Sequence, residues 1–194
     1  YIQKFRKMNN SATTRAITKI ALEYNGNDKG TAEMVASNYL LSSTTEGQFL
    51  EMKTVADRNS KVKKWALTGY ISQPDEIGRK LTDLEFSVIA TKALEKIGVS
   101  DKNQFRLDIH NSTKQKHIHF IVNRIDISGK CTVKSHDIGR RFGEAVREVC
   151  KEKGLLTDVE IGIQKKAEML KNLKETLKTA KNFDELILKM KAKG

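Results

Sequence analysis

Two of the chain's four histidines stand one residue apart, in the stretch "HIHFIVNRID" from His117 to Asp126. The stretch is otherwise rich in Ile and Val, which predicts a β-strand. Side chains at i and i+2 of a strand point to the same face, so His117 and His119 would project together. A third histidine, His110, ends the strand-like run "QFRLDIHN" that precedes them. A hairpin would bring it alongside the pair.

Three imidazoles on one face predict a metal site. They repel one another when protonated and need partners when neutral, and a divalent cation satisfies both conditions. Three protein ligands leave coordination positions open, which is typical of a catalytic metal rather than a structural one. Imidazole ligands favour Zn²⁺, Mn²⁺, Co²⁺ or Ni²⁺ over Mg²⁺. The alternative is a structural pair of histidines on the surface of a strand.

The charge balance indicates a polyanionic partner. The net charge is +12 with a pI near 9.6, and a protein this basic attracts nucleic acid, although a solvated Lys-rich surface gives the same composition. For a metal in a basic protein, the expected substrate is a phosphodiester polarised by the ion. Arg140 and Arg141, at the start of a predicted helix, are candidate phosphate contacts; a solvated helix face is the alternative.

Composition also bears on the cellular setting. No apolar run is long enough to cross a bilayer, and the first ten residues lack the apolar core of a signal peptide, so we expect a cytoplasmic protein without a membrane partner. Cys131 and Cys150 are too few and too far apart for a disulfide scaffold, and we expect free thiols.

The group that attacks phosphorus is either a metal-activated water, which makes a hydrolase, or a side chain, which makes a strand transferase. Tyr24 ends a predicted helix immediately before the Gly-rich stretch "NGNDKG", from which a phenol could swing over a site. Tyr39, in "SNYLLSS", is less clearly placed. Tyr70 lies in an apolar strand and is expected in the core.

The order of the predicted elements indicates an α+β fold, with a central antiparallel β-sheet flanked by helices and a C-terminal helical extension. The stretch "TAEMVASNYLL" fits a strand or a short helix. We expect one domain over 1–157 and a Lys-rich helical extension over 158–194, which is broken near Asn182. The spacing predicts helices over 13–24, 44–62, 82–98, the last opened by a Thr82–Glu85 capping box, and 137–155, and strands over 63–72, 104–111 and 116–126.

Two motifs resemble those of the HUH-type mobilisation relaxases, the metal-dependent DNA nickases of plasmids and transposons. "HIHFIVNRIDISGK" is similar to their third motif, a histidine followed by HxHxxxNR and then GK. "ALEYNGNDKGTAEMVASNYL" is similar to the first motif of the mobilisation proteins of Bacteroides-type elements. The resemblance runs from about Thr18 to Leu156, most of the chain.

The resemblance implies a role for each matching residue. His110, His117 and His119 become the metal ligands, and Tyr24 becomes the nucleophile, which forms a 5′-phosphotyrosyl link and leaves a free 3′-hydroxyl. Tyr39 is the alternative nucleophile, because some relaxases carry their tyrosine in an "NYL" context.

The remaining implications concern supporting residues and partners. Arg124 would neutralise a phosphate and Asn123 would support the strand. Many relatives carry an acid just after the first histidine; here "HNSTK" has none, and Asp108 is the candidate to orient an imidazole. The implied cofactor is Mn²⁺ or Mg²⁺, with Zn²⁺ or Ni²⁺ as alternatives. The implied partners are single-stranded or hairpin DNA at an origin of transfer, with accessory mobilisation and coupling proteins.

Three other functions stay open on the sequence. A rolling-circle replication initiator shares the chemistry, although such proteins often carry paired tyrosines about a helical turn apart, which this chain lacks. A hydrolase using activated water would not need a tyrosine. A non-catalytic DNA-binding module would leave the histidines structural.

Overall fold

A five-stranded antiparallel sheet forms the centre of the protein. The computed structural model describes residues 10–72, 81–111 and 115–193, and within them the strand order is β1-β3-β5-β4-β2. The predicted α+β fold is confirmed. The strands are β1 Asn10–Arg15, β2 Glu33–Asn38, β3 Ala66–Ser72, β4 Asn103–His110 and β5 His117–Asp126. The helices of the described part are α1 Lys19–Asn25, α2 Thr45–Ala56, α3 Asp83–Lys96, α4 Ile138–Glu152, α5 Asp158–Leu177 and α6 Phe183–Ala192.

Side-chain alternation along β5 separates two faces of the sheet. Phe120 packs against Phe142 of α4, with ring centroids 4.9 Å apart, so one face is covered by α4 and its neighbour α3. Ile121 points the other way, into a buried cluster with Leu22 of α1 and Met52 of α2. His117 and His119 share the face of Ile121 because strand side chains repeat every two residues.

The helix predicted over 13–24 is wrong in its first half. Thr13 and Thr14 belong to β1, which pairs antiparallel with β3. These β-branched residues fit the pleated surface of a sheet, and pairing with β3 favours the strand over the helix. The helix begins only after Thr18. Its buried residues are Leu22 and Asn25, whereas Ile20 and Tyr24 are 66% and 67% exposed.

Other local predictions are confirmed. Strands β4 and β5 form the expected antiparallel pair, with His110 opposite His117. The capping box is present: the Thr82 hydroxyl accepts from the Glu85 N–H at 3.2 Å, and the Glu85 carboxylate accepts from the Thr82 N–H at 2.9 Å. Pro74, expected to bound β3, and part of the 111–116 connection lie outside the described residues.

The segment from residue 156 onward forms a second compact unit, beside a first unit that ends at Leu155. It consists of α5 and α6, which confirms the helical extension. Asn182 caps α6 by accepting from the Glu185 N–H at 2.8 Å. Whether 157/158 is a domain boundary stays a prediction. None of the helices in the described ranges is long and apolar enough to span a bilayer.

Candidate metal centre

The three predicted histidine ligands meet on the open face of the sheet. The ring centroids of His110 and His119 are 4.2 Å apart, and His117 lies 5.1 Å from the first and 5.0 Å from the second. Their nitrogen ligand atoms lie within 4.8 Å of one another. His110 is buried, and the other two are half-buried. The hairpin register produces this cluster, because His110 pairs with His117 and Asp108 pairs with His119.

The donor set fits a divalent transition metal. Nitrogens bound at about 2.1 Å in tetrahedral geometry are roughly 3.4 Å apart, so small rotations of the rings would close the cluster around one ion. The half-buried rings of His117 and His119 leave one side open to a substrate. Three imidazoles with an open coordination position are typical of a catalytic rather than a structural metal site.

Hydrogen bonds to backbone carbonyls assign the tautomers of two ligands. A carbonyl oxygen only accepts, so a ring nitrogen bonded to it carries the proton. His110 donates from Nε2 to the Asn25 carbonyl at 2.6 Å, and His117 donates from Nδ1 to the Gln115 carbonyl at 3.1 Å. When these rings are neutral, as a metal ligand must be, the opposite nitrogens, Nδ1 of His110 and Nε2 of His117, carry the lone pairs. Such second hydrogen bonds orient ligating imidazoles.

Tyr24 is the predicted nucleophile that the structure places beside the histidines. Its ring centroid lies 6.4 Å from that of His110 and 6.2 Å from that of His119. The side chain is 67% exposed, so the phenol is accessible to a DNA strand. Its position follows from α1, whose C-terminal end reaches the histidine end of β4.

Tyr39, the alternative nucleophile, lies elsewhere. It follows β2 at the end that pairs with Phe105, and its carbonyl accepts from the Gln104 side chain at 3.1 Å. Gln104 is six residues from His110 along β4, roughly 20 Å at about 3.4 Å per residue. The structure does not bring Tyr39 to the triad.

Tyr70 was expected in the core, and that prediction is wrong. It is only half-buried, pairs with His119 across β3 and β5, and has its ring centroid 5.7 Å from that of His119. The triad is therefore bracketed by two phenols, with Tyr70 on the β3 side. The sequence did not indicate that Tyr70 lies beside the triad, because β3 and β5 are about fifty residues apart and only the strand order makes them neighbours. The one available signal was the alternation of polar side chains along β3, at Thr68, Tyr70 and Ser72.

Asp108 shares the face of the triad, where it pairs with Arg106 and also interacts with the charge of His110; that it orients an imidazole stays a prediction. Its carboxylate accepts from Nε of Arg106 at 2.9 Å and from Nη2 at 2.7 Å. Burial raises the pKa of the Asp108 carboxyl, although the hydrogen bonds and charge of Arg106 oppose this shift. The pair is buried beside the metal site, where Arg106 also donates to Gln48 at 2.7 Å.

The two residues of the "NR" pair stabilise the sheet. Asn123 is fully buried and donates to the Met52 carbonyl at 2.9 Å and to Gln104 at 3.1 Å, which agrees with a supporting role. Arg124 was predicted to neutralise a phosphate, but it is buried and donates to the carbonyls of Val133, at 2.9 Å, and Lys64. Its guanidinium points to the face opposite His119.

The candidate phosphate contacts on α4 are also remote from the triad. Arg140 pairs with Asp137 and Glu144, and Arg141 donates to backbone carbonyls at 3.1 and 3.2 Å. Helix α4 covers the face of the sheet opposite the histidines. Both arginines make local contacts in the structure, and their role as phosphate contacts stays a prediction.

This combination of sheet, histidine triad and adjacent tyrosine fits a nuclease of the relaxase type. The chain belongs to the MobA/VirD2-like relaxases: the model of their nuclease domain matches residues 24–155, which include Tyr24, the triad and α4. Membership supports a general role in DNA nicking for mobilisation. No curated protein and no solved structure shows a significant match to the chain.

Proposed function

We propose that this protein nicks one DNA strand at an origin of transfer by attack of Tyr24, and that a 5′-phosphotyrosyl intermediate carries the strand during conjugative mobilisation. The observation that supports the nucleophile is the position of the Tyr24 ring, exposed and 6.2 Å from the ring of His119. Among the tyrosines of the described residues, Tyr24 combines this proximity with high exposure, whereas Tyr70 is half-buried.

A divalent ion held by His110, His117 and His119 would polarise a non-bridging oxygen of the scissile phosphate. Tyr24 loses its phenolic proton to water, and its oxygen forms a bond to phosphorus while the bond to the 3′-oxygen breaks. The 3′-oxygen takes up a proton and leaves as a hydroxyl. Because the new phosphodiester retains the energy of the old one, attack by a 3′-hydroxyl on the phosphotyrosine rejoins the ends.

The substrate is expected to be single-stranded or hairpin DNA, since Tyr24 must reach one exposed phosphate. The net charge of +12 supplies attraction to the DNA backbone. Melting of the origin and delivery of the strand would fall to accessory mobilisation and coupling proteins, and the reaction would take place in the cytoplasm. Mn²⁺ or Mg²⁺ is the expected ion, with Zn²⁺ or Ni²⁺ as alternatives.

The decisive experiment is a covalent-adduct gel. The protein is mixed with Mn²⁺ and labelled single-stranded fragments that tile the DNA flanking its gene, including candidate transfer and replication origins, and the mixture is then denatured. We expect label to migrate with the protein, and to disappear in Tyr24→Phe and in the double variant His117→Ala/His119→Ala. Tyr39→Phe is the matched control, because it removes the same hydroxyl from a tyrosine outside the site.

The other outcomes distinguish the remaining functions. Free cleavage products without an adduct, unaffected by Tyr24→Phe, would indicate a hydrolase that uses activated water. Binding of DNA with neither product would indicate a non-catalytic module. An adduct confined to a replication origin would indicate a rolling-circle initiator instead of a mobilisation protein.

A further inference from the structure

The end of α1 that carries Tyr24 rests on two buried side chains of β4. His110 donates to the Asn25 carbonyl at 2.6 Å, and the guanidinium of Arg106 lies against Gly26. Tyr24 itself is 67% exposed, so packing of its side chain contributes little to holding it. Its position over the triad therefore depends mainly on how the backbone at Asn25 and Gly26 sits on the sheet.

Gly26 is not required by its backbone conformation. Its φ of −84° and ψ of 1° are accessible to any L-residue. A Cβ at this position, however, would lie 2.5 Å from Nη2 of Arg106 and 3.3 Å from the carbonyl oxygen of Leu22. The first distance is far below van der Waals contact. The absence of a side chain at Gly26 thus gives the guanidinium the room that it occupies.

Several hydrogen bonds prevent the guanidinium of Arg106 from moving away from a Cβ atom at position 26. Its Nε and Nη2 donate to Asp108 at 2.9 and 2.7 Å, and its Nη1 donates to Gln48 at 2.7 Å. The side chains of Arg106 and Asp108 are 9% and 0% exposed. The planar fork of arginine fits a carboxylate in one orientation, so displacement of the guanidinium would break several buried hydrogen bonds at once.

We propose that Arg106, held by Asp108 and Gln48, is a positioning residue for Tyr24. Its guanidinium fixes the distance between the C-terminal end of α1 and the histidine triad. The inference rests on the proposed function, because it assumes that Tyr24 attacks. It assigns the buried Arg106–Asp108 pair a role in the geometry of attack, in addition to any part in folding. A misplacement of a reacting group by about 1 Å costs on the order of 100-fold in rate.

Gly26→Ala tests the proposal, with Gly139→Ala as the matched control. Gly139 lies at the start of α4 on the other face of the sheet, and a Cβ there would meet only the Ala12 carbonyl oxygen, at 3.4 Å. We expect Gly26→Ala to form the phosphotyrosyl adduct about 100-fold more slowly in single-turnover assays. Its affinity for DNA should equal that of wild type, since the charged surface is intact. Displacement of the Asn25 carbonyl, which orients His110, would weaken Mn²⁺ binding, so the rate is compared at saturating Mn²⁺, where it should stay reduced. Gly139→Ala should match wild type throughout.

A second readout does not depend on activity. In metal-free protein, the backbone amides of residues 24–27 should exchange hydrogen faster in Gly26→Ala than in wild type or Gly139→Ala. Adding Arg106→Lys to Gly26→Ala should recover at least part of the lost rate, because the ammonium keeps a positive charge beside Asp108 and leaves room for the new methyl group. Gln48→Met provides an independent route if Gly26→Ala does not fold: it removes the acceptor of Nη1 without crowding Gly26, and a slower adduct rate is expected.

Wild-type rates and wild-type amide exchange in both Gly26→Ala and Gln48→Met would overturn the positioning role while leaving the proposed nickase intact. Recovery of the wild-type rate by Gly26→Ala at saturating Mn²⁺ would also overturn it, because the damage would then lie in the metal site. Absence of any adduct from the wild-type protein would overturn the proposed function and this inference together.

Discussion

The buried pair of Arg106 and Asp108 predicts an asymmetric response to mutation. Asp108→Leu removes a carboxylate whose side chain is fully buried and leaves the guanidinium without its acceptor at 2.7 and 2.9 Å. Breaking a buried pair in this way costs about 3–5 kcal/mol. At roughly 2–4 °C per kcal/mol for a chain of this size, the melting temperature should fall by about 6–20 °C.

The double variant Arg106→Met/Asp108→Leu should recover most of this loss. A buried ion pair adds little net stability, because the desolvation of both charges offsets their attraction; burial accordingly raises the pKa of the Asp108 carboxyl despite Arg106. The double variant removes the donor to the Gln48 side-chain oxygen, at a cost of about 1–2 kcal/mol. We therefore expect it to be more stable than Asp108→Leu alone.

Urea denaturation in the presence of a chelator measures these differences without a contribution from metal binding. Asp57→Asn is the control, because Asp57 pairs with Lys53 on the surface and its loss should cost less than about 1 kcal/mol. A destabilisation below about 1 kcal/mol in Asp108→Leu, or a double variant no more stable than Asp108→Leu, would refute the argument that the unpaired guanidinium carries the cost.

Three further predictions follow from the site and its supports. Mn²⁺ at about 100 times its Kd should stabilise the wild-type protein by about 2.7 kcal/mol, as measured by thermal unfolding, and should not stabilise His117→Ala/His119→Ala. Tyr70→Phe keeps the ring beside His119 and loses only the hydroxyl, so adduct formation on gels should persist. The pKa of the Asp126 carboxyl lies below its ordinary value: burial acts to raise it, but hydrogen bonds from Ser128 and Lys130 outweigh that effect. The stabilisation by the Asp126 carboxylate is therefore present above its ordinary pKa of about 3.9 and is lost as the pH falls below that value. Asp126→Asn should lower the free energy of unfolding, measured in urea, by about 1 kcal/mol at pH 7. This deficit should shrink near pH 3.

Each of these has an outcome that contradicts it. Equal Mn²⁺ stabilisation of the double histidine variant would place the metal elsewhere. Loss of the adduct in Tyr70→Phe but not in Tyr24→Phe would make Tyr70 the nucleophile. A deficit of Asp126→Asn that is constant from pH 7 to pH 3 would mean that the charge of Asp126 contributes nothing to the turn, whose hydrogen bonds from Ser128 and Lys130 measure 2.9 and 3.0 Å.

Local patterns in the sequence were sufficient for the hairpin and the triad. The alternation of His117 and His119 on a strand requires a shared face, and the short connection to the preceding strand brings His110 into register. The capping box at Thr82 likewise depends on residues three positions apart. Both signals arise from the periodicity of a single element or from neighbours in the chain, so no long-range information was needed.

Long-range pairing decided the rest of the site. The sequence left Tyr39 open as an alternative to Tyr24, and only the antiparallel pairing of β2 with β4 places Tyr39 at the far end of the sheet. The insertion of β3 beside β5 brings Tyr70 to His119. The same strand order directs Arg124 away from the triad. Such pairings join segments far apart in the chain, and no local propensity specifies them.

The sequence by itself determined that three imidazoles would share one face of a hairpin in a strongly basic α+β protein, because strand periodicity and charge are properties of the chain. The tertiary structure alone decided which tyrosine stands beside them and which buried residues hold it there. That choice depends on strand order and on the packing of Gly26 against Arg106. Residues from β4, α1 and α2 together leave no space for a Cβ atom at Gly26.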